Sequence, residues 1–161
     1  MDGQFAKAGF DLNCICECHG SIHHLQCING CMHYIWDADR FTPEVDETKC
    51  QLLNDAPRCS TCKDISRPNI LMFNDFNWED SRYKMQRHAL SEWLVRSKRV
   101  VIIELGAGLD VPTVRNYGDM LGWPMIRINP RDSELGSSSG VSLPMGAMDG
   151  LNAIYSALKS L

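Results

Sequence analysis

Four cysteines in two close pairs constrain this chain more than any other feature. Cys27 and Cys31 form a C-x3-C pair, Cys59 and Cys62 a C-x2-C pair, and 27 residues separate the two. Such pairs can converge on one tetrahedral Zn²⁺, each thiolate about 2.3 Å from the metal. The alternative is four unrelated thiols packed as small hydrophobes, and the paired spacing argues against it. Four thiolates leave no open coordination position, so a single ion here is expected to hold a module together rather than to do chemistry. A zinc module alone has no use for its flanks. His19-Gly20 stands eight positions before the first pair, and Arg67-Pro68 opens an apolar run five positions after the last.

Composition narrows the setting. The chain has 161 residues, enough for one domain or a domain with a small insert. Eight cysteines occur without a secretion-type N-terminus, since Met1-Asp2-Gly3-Gln4 offers neither a basic region nor an apolar core. That combination points to a reducing, intracellular setting, cytoplasmic with the nucleus left open, and to thiolate–metal chemistry rather than disulfides. The net charge of −4 gives no basis for gripping a phosphate backbone, so direct nucleic-acid binding is not expected. The best apolar run, Val100 to Leu105, is six residues long and contains Glu104, far short of a membrane span.

Patterning predicts an irregular first part and a regular second part. Ser21 to Cys27 and His33 to Trp36 read as short strands framing the metal knuckle, and Phe41 to Arg58 as a loop or one short helix. Cys14, Cys16 and Cys18 alternate, which on a strand would place all three on one face, as core residues or as a second metal or redox site. Asn69 to Phe73 reads as a buried strand. A helix capped at Asn77 to Asp80 and running to about Lys98 would present Met85, Ala89, Trp93 and Leu94 on one face. Val100 to Leu105 reads as a strand covered on both faces. A turn at Gly106-Ala107-Gly108, a helix from about Pro112 to Leu121, a strand at Met125 to Ile128, a Ser/Gly-rich loop from Asp132 to Gly140 and a last helix around Ala147 to Leu158 complete a βαβ arrangement.

Gly106-x-Gly108 after a strand resembles a dinucleotide turn without its third glycine, a weak signal by itself. The acidic residue that such a turn uses on ribose hydroxyls would stand near Asn129, which can also hydrogen-bond a ribose. His23, His24 and His33 lie near the cysteines and suit surface or supporting roles, since four thiols already suffice. His19 differs, because Gly20 removes bulk beside its ring. By spacing alone it is a candidate acid–base residue and no more.

Taken in order, Asp2-Gly3 with Ala8-Gly9, Glu17-x-His19-Gly20-Ser21, the two cysteine pairs, Arg67-Pro68-Asn69-Ile70-Leu71-Met72-Phe73, Gly106-x-x-Leu109 and Ile128-Asn129 resemble the sirtuin family over nearly the whole chain. The resemblance implies an α/β fold: an incomplete Rossmann-like parallel sheet with helices on both faces, plus a small four-cysteine zinc module. It divides the chain at 1–66, the His-Gly segment and zinc module, and 67–161, a partial Rossmann-like NAD-binding region. It implies an NAD-dependent protein-lysine deacylase whose substrates, NAD⁺ and an acyl-lysine protein or peptide, meet in a cleft. His19 matches the general base, and Cys27, Cys31, Cys59 and Cys62 match the structural zinc ligands. Asp2 matches the aspartate by the nicotinamide pocket. Gly106, Ala107, Gly108 and Asn129 match segments on the adenine-side ribose, and Met148 a residue beside the adenine. Phe73 and Asn74 fall in the loop that pairs with the substrate peptide. In the implied reaction the acyl-lysine oxygen attacks the nicotinamide-bearing ribose carbon and nicotinamide leaves. His19 takes a proton from a ribose hydroxyl, and the acyl group passes to ADP-ribose.

Departures from the family pattern shape the remaining expectations. Gly-Ala-Gly stands where Gly-Thr-Ser is usual, and Asn74 replaces a glycine. The family's glycine-rich pyrophosphate turn and first helix have no counterpart here. The chain is therefore expected to be a C-terminal portion of the catalytic domain, truncated or fragmentary, which needs upstream sequence for activity. The other classes are a non-catalytic zinc-stabilised binding module and a sirtuin-like ADP-ribosyltransferase.

Overall fold

The computed structural model describes residues 1–31, 33–136 and 138–160. They form two compact units, Met1–Val95 and Arg96–Leu161. The division expected at 66/67 falls inside the first unit.

In the first unit β1 (Gly20–Cys27) lies between β2 (Trp36–Asp37) and β5 (Ser66–Ile70) and pairs antiparallel with both. Pro68 is tolerated because β5 is an edge strand, where a missing N–H breaks no ladder. The register with β5 slips between Ser21 and Leu25, so Ile22, His23 and His24 have no partners on that side. Bulges of this kind re-aim side chains. Side-chain amides tie the sheet to the segment that follows it. Asn69 Nδ2 donates to Gln26 Oε1 at 2.8 Å and to the Glu79 carbonyl at 2.9 Å, and Gln26 Nε2 donates to the Asn77 carbonyl at 2.7 Å.

Several local expectations are corrected. The strand expected at Asn69 to Phe73 ends at Ile70 and belongs to this antiparallel sheet. Arg67 bends the chain there, donating to the Ile70 carbonyl at 3.0 Å and to both oxygens of Asp75 at 2.8 and 2.6 Å. The second strand falls at Trp36–Asp37 rather than His33 to Trp36. The 41–58 stretch holds a hairpin, β3 (Val45–Asp46) with β4 (Gln51–Leu52), where a loop or helix was expected. Asp46 Oδ1 makes that turn by accepting from the Thr48 and Lys49 amides. Cys14 closes a 3₁₀ turn (Leu12–Cys14) and is exposed, so the three alternating cysteines do not share a strand face. Helix α1 (Gln4–Lys7) is a single turn, its Gln4 amide donating to Asp2 Oδ1 at 3.1 Å. Helix α2 (Ser81–Arg96) exposes Met85 and Trp93, on the face expected to be buried. Its more covered stripe carries Arg82 and Gln86, which reach Glu17, so polar anchoring rather than an apolar face sets its rotation.

The second unit follows the expected βαβ order. Strands β6 (Ile102–Leu105), β7 (Met125–Ile128) and β8 (Gly140–Leu143) form a parallel sheet in that spatial order. Strand β8 was missed because Gly-Val-Ser-Leu after a Ser/Gly-rich loop has no run of apolar residues. Helices α3 (Thr113–Leu121) and α4 (Ala147–Lys159) pack through glycines, with Gly118 against Met125 and Gly150 against Ile128. Met125 and Ile128 stand three apart on β7 and so point to opposite faces. Helices therefore cover both faces, as expected. Within this core Arg127 is 1% exposed and binds Glu104, its register partner on β6, at 2.5 and 3.0 Å, and Asp119 of α3 at 2.9 Å. Burial opposes the Arg127 charge, but the two carboxylates outweigh it and hold its pKa above the usual value. No helix among the described residues is long and apolar enough to cross a membrane.

Candidate functional site

The four paired cysteines converge. Cys27 closes β1, and Cys31 follows a tight turn in which the Gly30 amide donates to the Cys27 carbonyl. Cys59 and Cys62 occupy a second turn, fixed by Lys63 N–H to Cys59 O and Cys59 N–H to Asp64 O. All four Sγ atoms lie within 4.8 Å of one another, with separations of 3.5 Å (Cys27–Cys62), 3.4 Å (Cys27–Cys31) and 3.6 Å (Cys31–Cys59). A tetrahedron with 2.3 Å bonds has edges of about 3.8 Å, whereas a disulfide would bring two sulfurs to about 2.05 Å. The donor set therefore fits a zinc site. Cys27 and Cys59 are buried, while Cys31 and Cys62 are exposed. Burial pushes the Cys27 thiol up, but backbone N–H groups of Cys31 and Asn29 and the neighbouring thiols outweigh it, leaving its pKa at about 6. The backbone N–H groups of Cys62 and Thr61 lower that of Cys59. The fold thus favours the thiolate, the form that binds metal, at Cys27 and Cys59, whereas hydrogen bonds with Cys62 and Cys27 push the Cys31 thiol up.

His19 lies in the turn that enters β1 and is half-buried, with its carbonyl accepting from the Leu71 amide at 3.1 Å. Gly20 has φ +78°, and a Cβ there would stand 2.0 Å from the Asn69 carbonyl oxygen. Gly20 is thus required by the approach of β5, a backbone reason for the His-Gly pair that spacing alone did not reveal.

His19 opens on a cavity of about 620 Å³, also lined by Asp2, Ser21, His23, His24 and Arg82. That volume suits a small organic ligand or part of a larger one. The β1 bulge explains why His23 and His24, adjacent in sequence, both reach it. His23 Nε2 lies 3.2 Å from the Asp2 carbonyl, so one histidine steadies the backbone that carries Asp2. Burial, then the Arg82 charge, lower the pKa of His24, and its Nδ1 is buried without a hydrogen-bond partner. Arg82 pairs with Glu17 at 2.5 Å, and Glu17 is only 10% exposed. Sequence reading gave His24 only a surface or supporting role and missed Arg82, because neither a bulge nor the rotation of α2 leaves a mark in spacing.

Phe73 and Asn74 sit on the loop beyond β5, shaped by the Arg67–Asp75 pair. Asn74 has φ +57°, and Phe73 is 87% exposed. In the second unit the Gly106–Gly108 turn follows β6 at the carboxyl end of the sheet. Gly106 has φ +66° with open space where a Cβ would stand. Asn129, just after β7, is 5% exposed and tied into its own loop: Nδ2 donates to the Ala107 carbonyl at 3.2 Å, and Oδ1 accepts from the Arg131 and Asp132 amides at 2.9 and 3.0 Å. Met148 is exposed near the start of α4.

The profile of the Sir2 family matches residues 1–111. The chain belongs to the Sir2 family. Solved structures agree on the fold. One, described as the structural basis for the mechanism and regulation of Sir2 enzymes, matches this Sir2 chain with a TM-score of 0.62 at 19% identity, covering 99% of this chain and 59% of that one. A second, on the structural basis of sirtuin substrate affinity, matches at TM-score 0.59 and 21% identity, covering 96% and 58%. Sir2Tm bound to a propionylated peptide matches at TM-score 0.59 and 17% identity, covering 96% and 60%. This Sir2 chain thus spans about three fifths of the length of those structures. No curated protein sequence matches it significantly.

Proposed function

We propose that the chain belongs to an NAD-dependent protein-lysine deacylase that moves an acyl group from lysine to ADP-ribose and releases nicotinamide. The observation that carries this reading is the meeting of His19 and Asp2 in one cavity of about 620 Å³, in a chain of the Sir2 family. The likeness to structures described as holding a propionylated peptide, and a p53 peptide with NAD⁺, supports an acylated peptide as the second substrate.

Each residue then has a task. NAD⁺, when bound, supplies the ribose carbon to which the acyl oxygen transfers and the nicotinamide that departs. The imidazole of His19 accepts a proton from a ribose hydroxyl, a general-base role suited to that side chain. Asp2, held by the Gln4 amide at its side chain and by His23 at its carbonyl, orients the carboxamide side of the cofactor. Phe73 and Asn74 offer an exposed loop to the peptide backbone, and Gly106 to Gly108 leave room for the adenine-side ribose. One zinc ion on Cys27, Cys31, Cys59 and Cys62 fixes the module that ends β1, one strand length from His19.

The test is direct. The natural protein containing these residues is incubated with acetyl- and propionyl-lysine peptides, with and without NAD⁺. Deacylated peptide and free nicotinamide in equal amounts, only with NAD⁺, are expected. ADP-ribose attached to protein with the acyl-lysine intact would overturn the deacylase reading in favour of ADP-ribosyl transfer, and no nicotinamide release at all would favour a binding module.

A further inference from the structure

Strand β5 carries a polar group that the protein around it leaves unpaired. Ser66, its first residue, is 4% exposed, and its Oγ is buried without a hydrogen-bond partner among the described residues. The Ser66 amide donates to the Pro57 carbonyl at 2.7 Å, which fixes this end of the strand against the segment leading to Cys59. A buried hydroxyl left unpaired is costly, so the position calls for an acceptor close by.

The register of the sheet supplies one. Ser66 stands opposite Cys27 in the antiparallel β1–β5 ladder, and the Ile28 amide donates to the Ile65 carbonyl at 3.1 Å. That bond lies one residue outside the pair on each strand, which makes Cys27 and Ser66 a non-hydrogen-bonded pair. Residues paired in this way approach most closely, with Cα atoms about 4.5 Å apart and side chains on the same face. The hydroxyl is therefore set beside the Cys27 side chain, which is 1% exposed and belongs to the cluster of four sulfurs.

A neutral thiol is a weak acceptor, whereas a thiolate draws a charge-assisted hydrogen bond. Four thiolates carry more negative charge than one Zn²⁺ cancels. Cys31 and Cys62 are exposed and can share the excess with water. Cys27 and Cys59 are buried and depend on donors from the protein. Backbone N–H groups of Cys31 and Asn29 already serve Cys27, and the Ser66 hydroxyl adds a donor from the opposite strand.

We infer that Ser66 is a positioning residue for the metal centre, its hydroxyl donating to the Cys27 thiolate when zinc is bound and so strengthening the site and tying the end of β1 to β5. The inference rests on the zinc reading of the four cysteines given above. Groups that hydrogen-bond a metal ligand orient it and typically contribute about 10–100-fold in metal affinity.

The experiment takes the full natural protein and its Ser66→Ala and Ser66→Thr variants, each with its zinc exchanged for Co²⁺. Competition with a chromophoric chelator gives the metal affinity, and the sulfur-to-cobalt charge-transfer absorption is recorded alongside. A hydrogen bond lowers the sulfur lone pair in energy, so its removal should move that absorption to longer wavelength. Ser66→Ala, smaller by one oxygen atom, should fold, bind metal about 10–100-fold more weakly and show this shift. Ser66→Thr keeps the hydroxyl and should restore both readings. A Ser66→Ala protein with wild-type affinity and an unmoved absorption overturns this inference alone. Weaker binding with an unmoved absorption overturns it as well, because lost packing would then be the cause. Wild type that takes up no metal at the four cysteines overturns the zinc reading, and this inference with it.

Discussion

At the scale of single residues, the site is built by groups whose backbone is settled before their chemistry begins. Gly20 is the clearest case. Any side chain at that φ would meet the Asn69 carbonyl, a backbone atom that cannot move without parting β1 from β5. Gly20→Ala is expected to cost more than about 2 kcal/mol, read as a lowered denaturation midpoint with loss of the cavity below it. His24 makes a pH prediction. Its folded pKa lies below the ordinary 6.5, through burial first and Arg82 second. The neutral ring is the stabilised form, so its contribution is present above pH 6.5 and is lost as pH falls through the lower folded value. His24→Gln should therefore unfold less steeply than wild type as the solution is acidified below pH 6.5, as followed by denaturant midpoints. Equal slopes would contradict the assignment.

At the scale of elements, the four-cysteine cluster and the βαβ unit were legible in the sequence for different reasons. Two thiol pairs with short internal spacing have few uses besides a shared metal. The apolar strand, glycine turn and following helix of the second unit are local patterns, and Met125 to Ile128 matches its strand residue for residue. What was hidden depends on contacts between distant segments. The bulge at Ile22 to His24 arises from the slip of β1 against β5, some forty residues apart. The rotation of α2 is set by Arg82 and Gln86 reaching back to Glu17. Asn129 looked free because its partners, the Ala107 carbonyl and two amides of its own loop, are invisible to spacing. Cys59→Ser should remove the metal and unfold the module, because zinc binding in such small sites is worth about 10–16 kcal/mol of folding free energy. Metal analysis with a thermal melt checks it, and a zinc-free variant that melts like wild type would contradict a structural role.

At the scale of the whole molecule, chemistry and support are divided between groups that do not substitute for one another. The first unit carries the four converging thiols, the exposed Phe73 loop and the cavity with His19 and Asp2. The second carries the glycine turn and a core held by the Glu104–Arg127–Asp119 cluster. Four thiolates would complete a zinc shell without His19, so on the proposed reading its loss should silence chemistry without disturbing the fold. The measurement that tests this most directly compares wild type with His19→Ala in the natural protein, following zinc content, nicotinamide exchange and acyl transfer together. Full zinc, acyl transfer reduced about 10²–10⁴-fold and nicotinamide exchange reduced much less are expected, since in the proposed reaction the base acts after nicotinamide leaves. Loss of zinc would make His19 a ligand, and undiminished acyl transfer would show that His19 is not the base.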